Sequence, residues 1–529
     1  MEPRVWSKTC SANRQTTLHW PLDRPMTATQ PPDSQPSHAQ YDTRFFGHPR
    51  GLATLFFTEM WERFSYYGMR ALLIYYMTDR VVKGGLGFND DKAGAVYGLY
   101  TAMVYLLCLG GGWIADRIIG QQRAVLAGGL FIAAGEFFLM APSLALFYAG
   151  LVLLMVGTGL LKGNVSTIVG QLYRQGDPRR DSGFSIFYMG INIGATISPI
   201  FCGWVGERIS WRWGFGLAGL GMLAGVVQYL LQLKFLGDAG RRPASTGDAA
   251  ADRKQRRNAI WWVGAGLAVF AVLGVLGATG AVTFTASMIS DSLGWALLGI
   301  SVVVFAWLIF SHTWTLEERK RSAAILVLFV ASAVFWASYE QAGSSLSLFA
   351  ERSTDRHILG FVFPASWYQW LQPLFVILLG PVFSWLWLAM NRRNVEPSSP
   401  AKFSMGLLWG GMAIALMVPA AMMAAHGTMV SYWWLTGTYF MQSVGEMCLS
   451  PVGLSAMTKL APARAAGFMM GIWFLSISIG NWTAGKAASL YSSVPLPSLF
   501  AIVAGLTMVA TVALVLLIRP TVRLMSGVK

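Results

Sequence analysis

TEMWERFSYYGMRAL, residues 58–72, decides how the rest of this chain is read. It lies inside an apolar segment long enough to span a bilayer, yet it holds Glu59, Glu62, Arg63 and Arg70. At about 3.6 residues per turn, positions 59, 62, 63, 66, 67 and 70 share one helical face. That face carries two carboxylates, two guanidiniums and the phenols of Tyr66 and Tyr67, while Met60, Phe64 and Ala71 suit apolar neighbours. One ionised side chain at mid-bilayer costs about 2.5–3.5 kcal/mol. Four on one face cannot stand against lipid. They line a wet cavity, or they pair with one another and with neighbouring helices. An ion-pair cluster that only holds a helix end together is the plain alternative; intramembrane charge favours a functional cavity.

The composition agrees with a membrane protein. The chain has 529 residues, 54% hydrophobic and 12% charged, with a mean hydropathy of +0.49. Soluble domains carry about 25% charged residues. The net charge of +15 does not indicate nucleic-acid binding, because the basic residues sit in short loops between apolar spans. Cys10, Cys108, Cys202 and Cys448 are scattered and match no metal or disulfide spacing. They are read as small hydrophobes, and no metal or other cofactor is expected.

Working outward from residue 58, the tail before it is polar and rich in Pro, Gln, Ser and Thr, and is expected to be disordered over 1–47. It has no apolar stretch of about 7–15 residues, so it is not read as a secretory signal; Met26 offers a second start. Six apolar spans follow near 50–78, 93–115, 123–141, 145–172, 184–206 and 213–236. A polar basic linker covers 237–257, then two spans near 259–281 and 290–311, then the charged LEERKR at 316–321. Six more spans lie near 322–350, 366–390, 403–424, 430–458, 465–487 and 497–518. The expected fold is therefore an all-α polytopic membrane protein of fourteen spans. A first six-helix bundle occupies 48–236 and two extra helices lie with their linkers in 237–321. A second six-helix bundle occupies 322–519, and 520–529 forms a tail.

Lys and Arg set the orientation. With the N-terminus cytoplasmic, the inner segments hold 29 of the 40, the outer connections hold 8, and Arg63, Arg70 and Lys162 lie within spans. Both termini are thus expected in the cytoplasm, with the chain in the cell (inner) membrane.

Further buried polar residues complete the pattern. Lys162 lies deep in the fourth span among Gly157, Gly159 and Gly163. Glu340 lies in FWASYEQAGSS, one helical turn after Trp336, and Glu446 in FMQSVGEMCLSPVG. Glu136 has no obvious basic partner and is read as structural. Glu62, Glu340 and Glu446 face Arg63, Arg70 and Lys162, leaving Glu59 over. One surplus carboxylate is what a proton-coupled device requires. His48, His312, His357 and His426 only flank spans, so carboxylates would have to handle protons within the bilayer. Tyr105, Tyr188, Asn192, Tyr368, Gln369, Gln372 and Trp473 add aromatic and amide groups. Cations in the first half and acids in the second suit a zwitterion.

These residues carry a resemblance. ExxERFxYYG at 59–68 resembles the signature of the proton-dependent oligopeptide transporter family of the major facilitator superfamily. GGWIADRIIGQQRA at 111–124, FYMGINIGA at 187–195 and the stretches around Glu340 and Glu446 look like its further motifs. The resemblance covers about 48–519, and the six-two-six layout looks like the bacterial members. It implies proton-driven uptake of di- and tripeptides at one site between the bundles, with no obligatory protein partner. Arg70, Lys162 and Tyr67 would hold the peptide carboxylate. Glu340 and Asn192, with Tyr105 and Tyr188 beside them and Glu446 nearby, would take the amine. Trp336 and Trp473 would shape side-chain pockets. Glu59, Glu62 and Arg63 would couple the proton together with Lys162, Glu340 and Glu446. Arg70–Glu340 would gate the outer side and Lys162–Glu446 the inner side. Gln372 stands where the family commonly has Asn, so amine recognition there would shift. Another cargo on the same fold (nitrate, an amino acid or a peptide-like drug) is the first alternative. A channel fits coupled acid–base pairs poorly, and an embedded enzyme lacks a nucleophile–base set.

Overall fold

A computed structural model describes residues 43–174, 177–243, 248–358, 360–461 and 466–525. Sixteen α-helices follow one another: α1 Arg50–Thr78, α2 Asp90–Ile114, α3 Gln121–Met140, α4 Leu144–Gln171, α5 Arg179–Arg208, α6 Trp211–Gln232, α7 Ala249–Ala278, α8 Ala286–Phe310, α9 Leu316–Tyr339, α10 Ser345–Arg352, α11 Leu371–Arg392, α12 Ser399–Ala415, α13 Met417–Ala425, α14 Trp433–Leu460, α15 Ala466–Ser489 and α16 Leu496–Leu524. They make fourteen crossings, because α10 continues the crossing of α9 and α13 that of α12. Among the described residues, eleven helical units are long and apolar enough to cross a membrane. The all-α, six-two-six class expected from the sequence is the one observed.

Helices α1–α6 pack on one another and α9–α16 form the second bundle. Helix α8 packs on α2, α9 and α15, whereas α7 meets the body chiefly at a π turn, Ala115–Ile119, that ends α2. The bundles meet along two lines, α2 against α15 and α5 against α11 with its preceding 3-10 turn, Ala365–Trp370. The first line needs glycine. A Cβ on Gly98 would lie 2.8 Å from the Cα of Gly485, so the backbones are in contact.

One end of this interface is closed by polar clamps. Arg352, the last residue of α10, forks onto Asp90 at the start of α2, at 2.7 and 2.8 Å, and Ser492 donates to the same carboxylate. Glu207 at the end of α5 accepts the backbone N–H groups of Ala365 (2.9 Å) and Ser366 (2.8 Å). Tyr75 donates to the Ser347 carbonyl at 3.0 Å, and the Trp367 indole to the Ile200 carbonyl at 3.0 Å.

Three boundaries differ from the sequence expectation. Helix α7 begins at Ala249, so the polar linker 237–257 is partly helical; the Asp248 side chain caps the Ala250 N–H at 2.8 Å, and Ala-, Lys-, Gln- and Arg-rich residues extend the helix. Helix α16 runs to Leu524, into the expected tail 520–529. Residues 43–47, assigned to the tail from sequence, form a turn with His48, whose backbone groups pair with those of Phe45. The His48 ring bonds Tyr173 at 2.9 Å. The rest of the expected disordered tail, and Cys10, lie outside the described residues; Cys108, Cys202 and Cys448 are buried free thiols.

The α2–α15 contact predicts a position-specific result. Gly98→Val should destabilise the purified protein by about 1–3 kcal/mol through overpacking. Gly110→Val on the same helix, where a Cβ meets nothing within 4 Å, should leave it within about 0.5 kcal/mol of wild type. Melting curves in one detergent check both, and equal effects would dismiss the backbone contact.

Candidate functional site

The charged face of α1 holds its own pairing. Arg63 forks onto the Glu62 carboxylate through Nε and Nη2, and its Nε lies 3.4 Å from Glu59 Oε1. The guanidinium also stands 5.0 Å from the centre of the Tyr66 ring. All three charges are sealed from solvent, with Glu62 at 0% exposure. The set carries two carboxylates and one guanidinium, and Glu59 Oε2 has no hydrogen-bond partner among the described residues. Helix α5 passes close by: Gly194 packs on the Met60 carbonyl and on the Cβ of Arg63.

Two turns further, Arg70 reaches the second bundle. Its Nη2 lies 2.6 Å from Glu340 Oε2, and its Nε donates to Tyr97 Oη at 2.9 Å. The Tyr67 ring is 5.8 Å away. Glu340 gains this position from a break: the expected continuous span 322–350 ends as α-helix at Tyr339, and Glu340–Gly343 form a 3-10 turn before α10. Gly343 lies directly against Tyr97 and Arg70. Removing one partner of such a buried pair costs about 3–5 kcal/mol, because the other charge is left bare.

Lys162 and Glu446, expected to pair, are apart. The Lys162 ammonium sits 4.0 Å from the centre of the Tyr105 ring, and Glu446 accepts the Tyr339 hydroxyl. Both are half-buried. Lys162 and Arg70 are within electrostatic range of Glu340, and Tyr188 and Tyr339 are within range of Glu446. First-bundle cations and second-bundle acids thus converge. Gly163, next to Lys162, has open space where a side chain would be. Tyr188 and Met189 keep 48% and 50% of their surface exposed, away from the clamps at Asp90 and Glu207.

The remaining expected residues divide. Trp336 is buried, its indole N–H without a partner among the described residues, and lies edge-on to Tyr339 at 5.2 Å. Trp473 is buried against Gly453, 6.4 Å from the Phe403 ring. Asn192 donates its amide to the Tyr188 carbonyl one turn back, at 2.9 Å. Gln372 donates to Gln442 on α14 at 2.7 Å, and Gln442 donates to the Ser338 carbonyl at 3.2 Å. Gln369 donates to Ser347 at 3.1 Å, and Glu136 accepts the Ser65 hydroxyl at 3.0 Å. Sequence reasoning did not assign Tyr339 or Gln442. Tyr339 adjoins Glu340, and Gln442 precedes Glu446 by four positions on the same helical face, which are the signals that could have found them.

Comparison with known proteins follows from this geometry. Residues 122–501 match the family model described as POT family. "Peptide transporter YePEPT" of Yersinia enterocolitica is 40% identical over 498 residues, 91% of this chain and 96% of the relative. The "Di-/tripeptide transporter" of Lactococcus lactis subsp. cremoris is 35% identical over 500 residues, 92% of this chain and 98% of the relative. A crystal structure of "peptide transporter POT in complex with sulfate" superposes with a TM-score of 0.85 at 42% identity, covering 91% of this chain and 97% of that one.

Gln372 separates a ligand contact from a helix–helix contact. If its amide serves a ligand amine, Gln372→Asn should change affinity between about three-fold and a hundred-fold for amine-bearing dipeptides and not for N-acetylated ones. If the bond to Gln442 is its whole role, inhibition constants for both compounds will move together or not at all.

Proposed function

The chain belongs to the POT family, and on that premise we propose that it imports di- and tripeptides with protons, by alternating access to one site between its two bundles. The observation that carries this is the convergence of first-bundle cations, Arg70 and Lys162, with second-bundle carboxylates, Glu340 and Glu446. A zwitterionic peptide matches that field with its carboxylate toward the first bundle and its amine toward the second. Tyr67 and Tyr105 flank the carboxylate end, and Asn192 and Tyr188 the amine end. Trp336 and Trp473 bound the side-chain pockets.

Proton coupling follows from partner exchange. The α1 set of Glu59, Glu62 and Arg63 has one surplus negative charge, which a proton neutralises without a new cation. When a peptide carboxylate takes Lys162 or Arg70, the carboxylate that loses its cation must take a proton or find another partner. Conformations that strand a charge in low dielectric are suppressed, so protonation and ligand binding shift the population between access states. Arg70–Glu340 closes the clamped side. Lys162–Glu446 closes the opposite side in the other state, and their separation here accords with access from that side. The excess of Lys and Arg, 29 against 8, supports an inner-membrane protein with both termini and the open side facing the cytoplasm.

Uptake of labelled dialanine into proteoliposomes, with and without an inward proton gradient, tests the reading. Glu62→Gln should abolish gradient-driven accumulation while sparing peptide-for-peptide exchange; accumulation by this variant would remove Glu62 from the coupling set. Arg70→Ala should weaken binding of free-carboxylate dipeptides by about ten- to a hundred-fold relative to amidated ones. Equal weakening of both would remove its carboxylate role, and failure of dialanine to move at all would leave another cargo.

A further inference from the structure

The extra helix α7 is unusually bare for a helix inside a polytopic chain. Among its described residues, Ala259 is buried, at 1% exposure, and the rest are exposed or half-exposed. Leu267, Val269, Val272 and Val275 all present more than half of their surface. Its first turns carry Arg253, Lys254, Arg256 and Arg257, all exposed, against Asp248, which caps the helix, and Asp252. Trp261 and Trp262 follow at once, each 63% exposed, with ring centres 4.8 Å apart. Four cations within about two turns of two exposed indoles mark the level where hydrocarbon gives way to headgroups.

At that level a cleft of about 300 Å³ separates α7 from the end of α2, lined by Trp113, Arg117, Gln255, Asn258, Ala259 and Trp262. The Arg117 guanidinium lies 5.3 Å from the centre of the Trp113 ring and makes no ion pair among the described residues. The neighbouring Asp116 accepts the Gln121 amide at 3.0 Å instead. The cleft therefore offers one guanidinium, two side-chain amides and two indole walls. Beyond Trp262, α7 continues with the exposed apolar side chains of Leu267, Val269, Val272 and Val275.

We propose that this cleft is a binding site for an anionic phospholipid. Its phosphodiester meets Arg117, Gln255 and Asn258, and its glycerol and first acyl carbons pass between Trp113 and Trp262. The chains then run along α7, filling the space between that helix and the body. Charge complementarity selects the anion, since basic side chains beside a span attract anionic headgroups. The indole walls select a lipid over a free ion, because inorganic phosphate would leave most of the cleft and both rings unfilled. In this arrangement lipid supplies the packing that α7 lacks from protein.

Native mass spectrometry of the delipidated full chain, titrated with dioleoyl phosphatidylglycerol, dioleoyl phosphatidylcholine or inorganic phosphate, tests the site. Phosphatidylglycerol should bind at lower concentration than phosphatidylcholine, and millimolar phosphate should not displace it. Arg117→Gln should weaken the first phosphatidylglycerol adduct about five-fold, and Arg117→Lys should retain most of it. Arg253→Gln, which removes a charge on α7 outside the cleft, should have a smaller effect than Arg117→Gln. Equal binding of both lipids, displacement by phosphate, unchanged binding in Arg117→Gln, or equal loss in Arg253→Gln would each overturn the proposal.

Discussion

Everything in this structure answers to one restriction: a charge inside the bilayer needs a counter-charge, a proton or a polar partner within a few ångströms. Arg63 meets it within its own helix, using carboxylates three residues apart. Arg70 meets it across the bundle interface, through Glu340 and the hydroxyl of Tyr97. Lys162 meets it only weakly, over the face of Tyr105, and is the cation most ready to accept an incoming anion. The gradation from fully paired to nearly unpaired runs through the site and gives it direction.

The clamps at the closed end are built differently. Asp90–Arg352 joins two helix ends side chain to side chain, and Glu207 joins the end of α5 to the backbone at Ala365 and Ser366, both using bidentate geometry that orients as well as attracts. They sit at helix ends, where water can replace a lost partner. Opening that end is therefore less demanding per bond than separating Arg70 from Glu340, where a bare charge would remain. The buried pair is the better latch and the peripheral set the better guide.

Much of this was legible in the sequence, for reasons that differ by residue. The Glu59–Glu62–Arg63 face followed from helical spacing alone, because partners three and four apart are neighbours whatever the tertiary fold. The fourteen crossings followed from hydropathy. The Arg70–Glu340 contact spans 270 positions and was legible only through family resemblance. The break at Glu340 was hidden, since FWASYEQAGSS reads as one apolar run, and the turn is held by Gly343 lying against α2 and α1. The early start of α7 was written in its Asp–Ala–Ala–Ala cap, but polar composition outweighed the cap. The amide of Gln372 could not be placed in advance, because its bond to Gln442 depends on how two helices are rotated.

The glycine contact between α2 and α15 has a mechanical consequence. Gly94 and Gly98 lie near the start of α2, beside the closed end, and there the α2 backbone lies directly against that of α15 at Gly485 and Ser489. Such a contact acts as a fulcrum. From Gly98 to Ile114, the end of α2, is about 24 Å, so tilting α2 by about 10° around its first turns sweeps the far end through about 4 Å. At that far end Leu109 touches Gly471 and the Tyr105 ring lies 6.3 Å from that of Phe474, so the two helices meet there through side chains rather than backbone to backbone. The glycines thus make this line a natural pivot: a small tilt at one face becomes a larger displacement at the other.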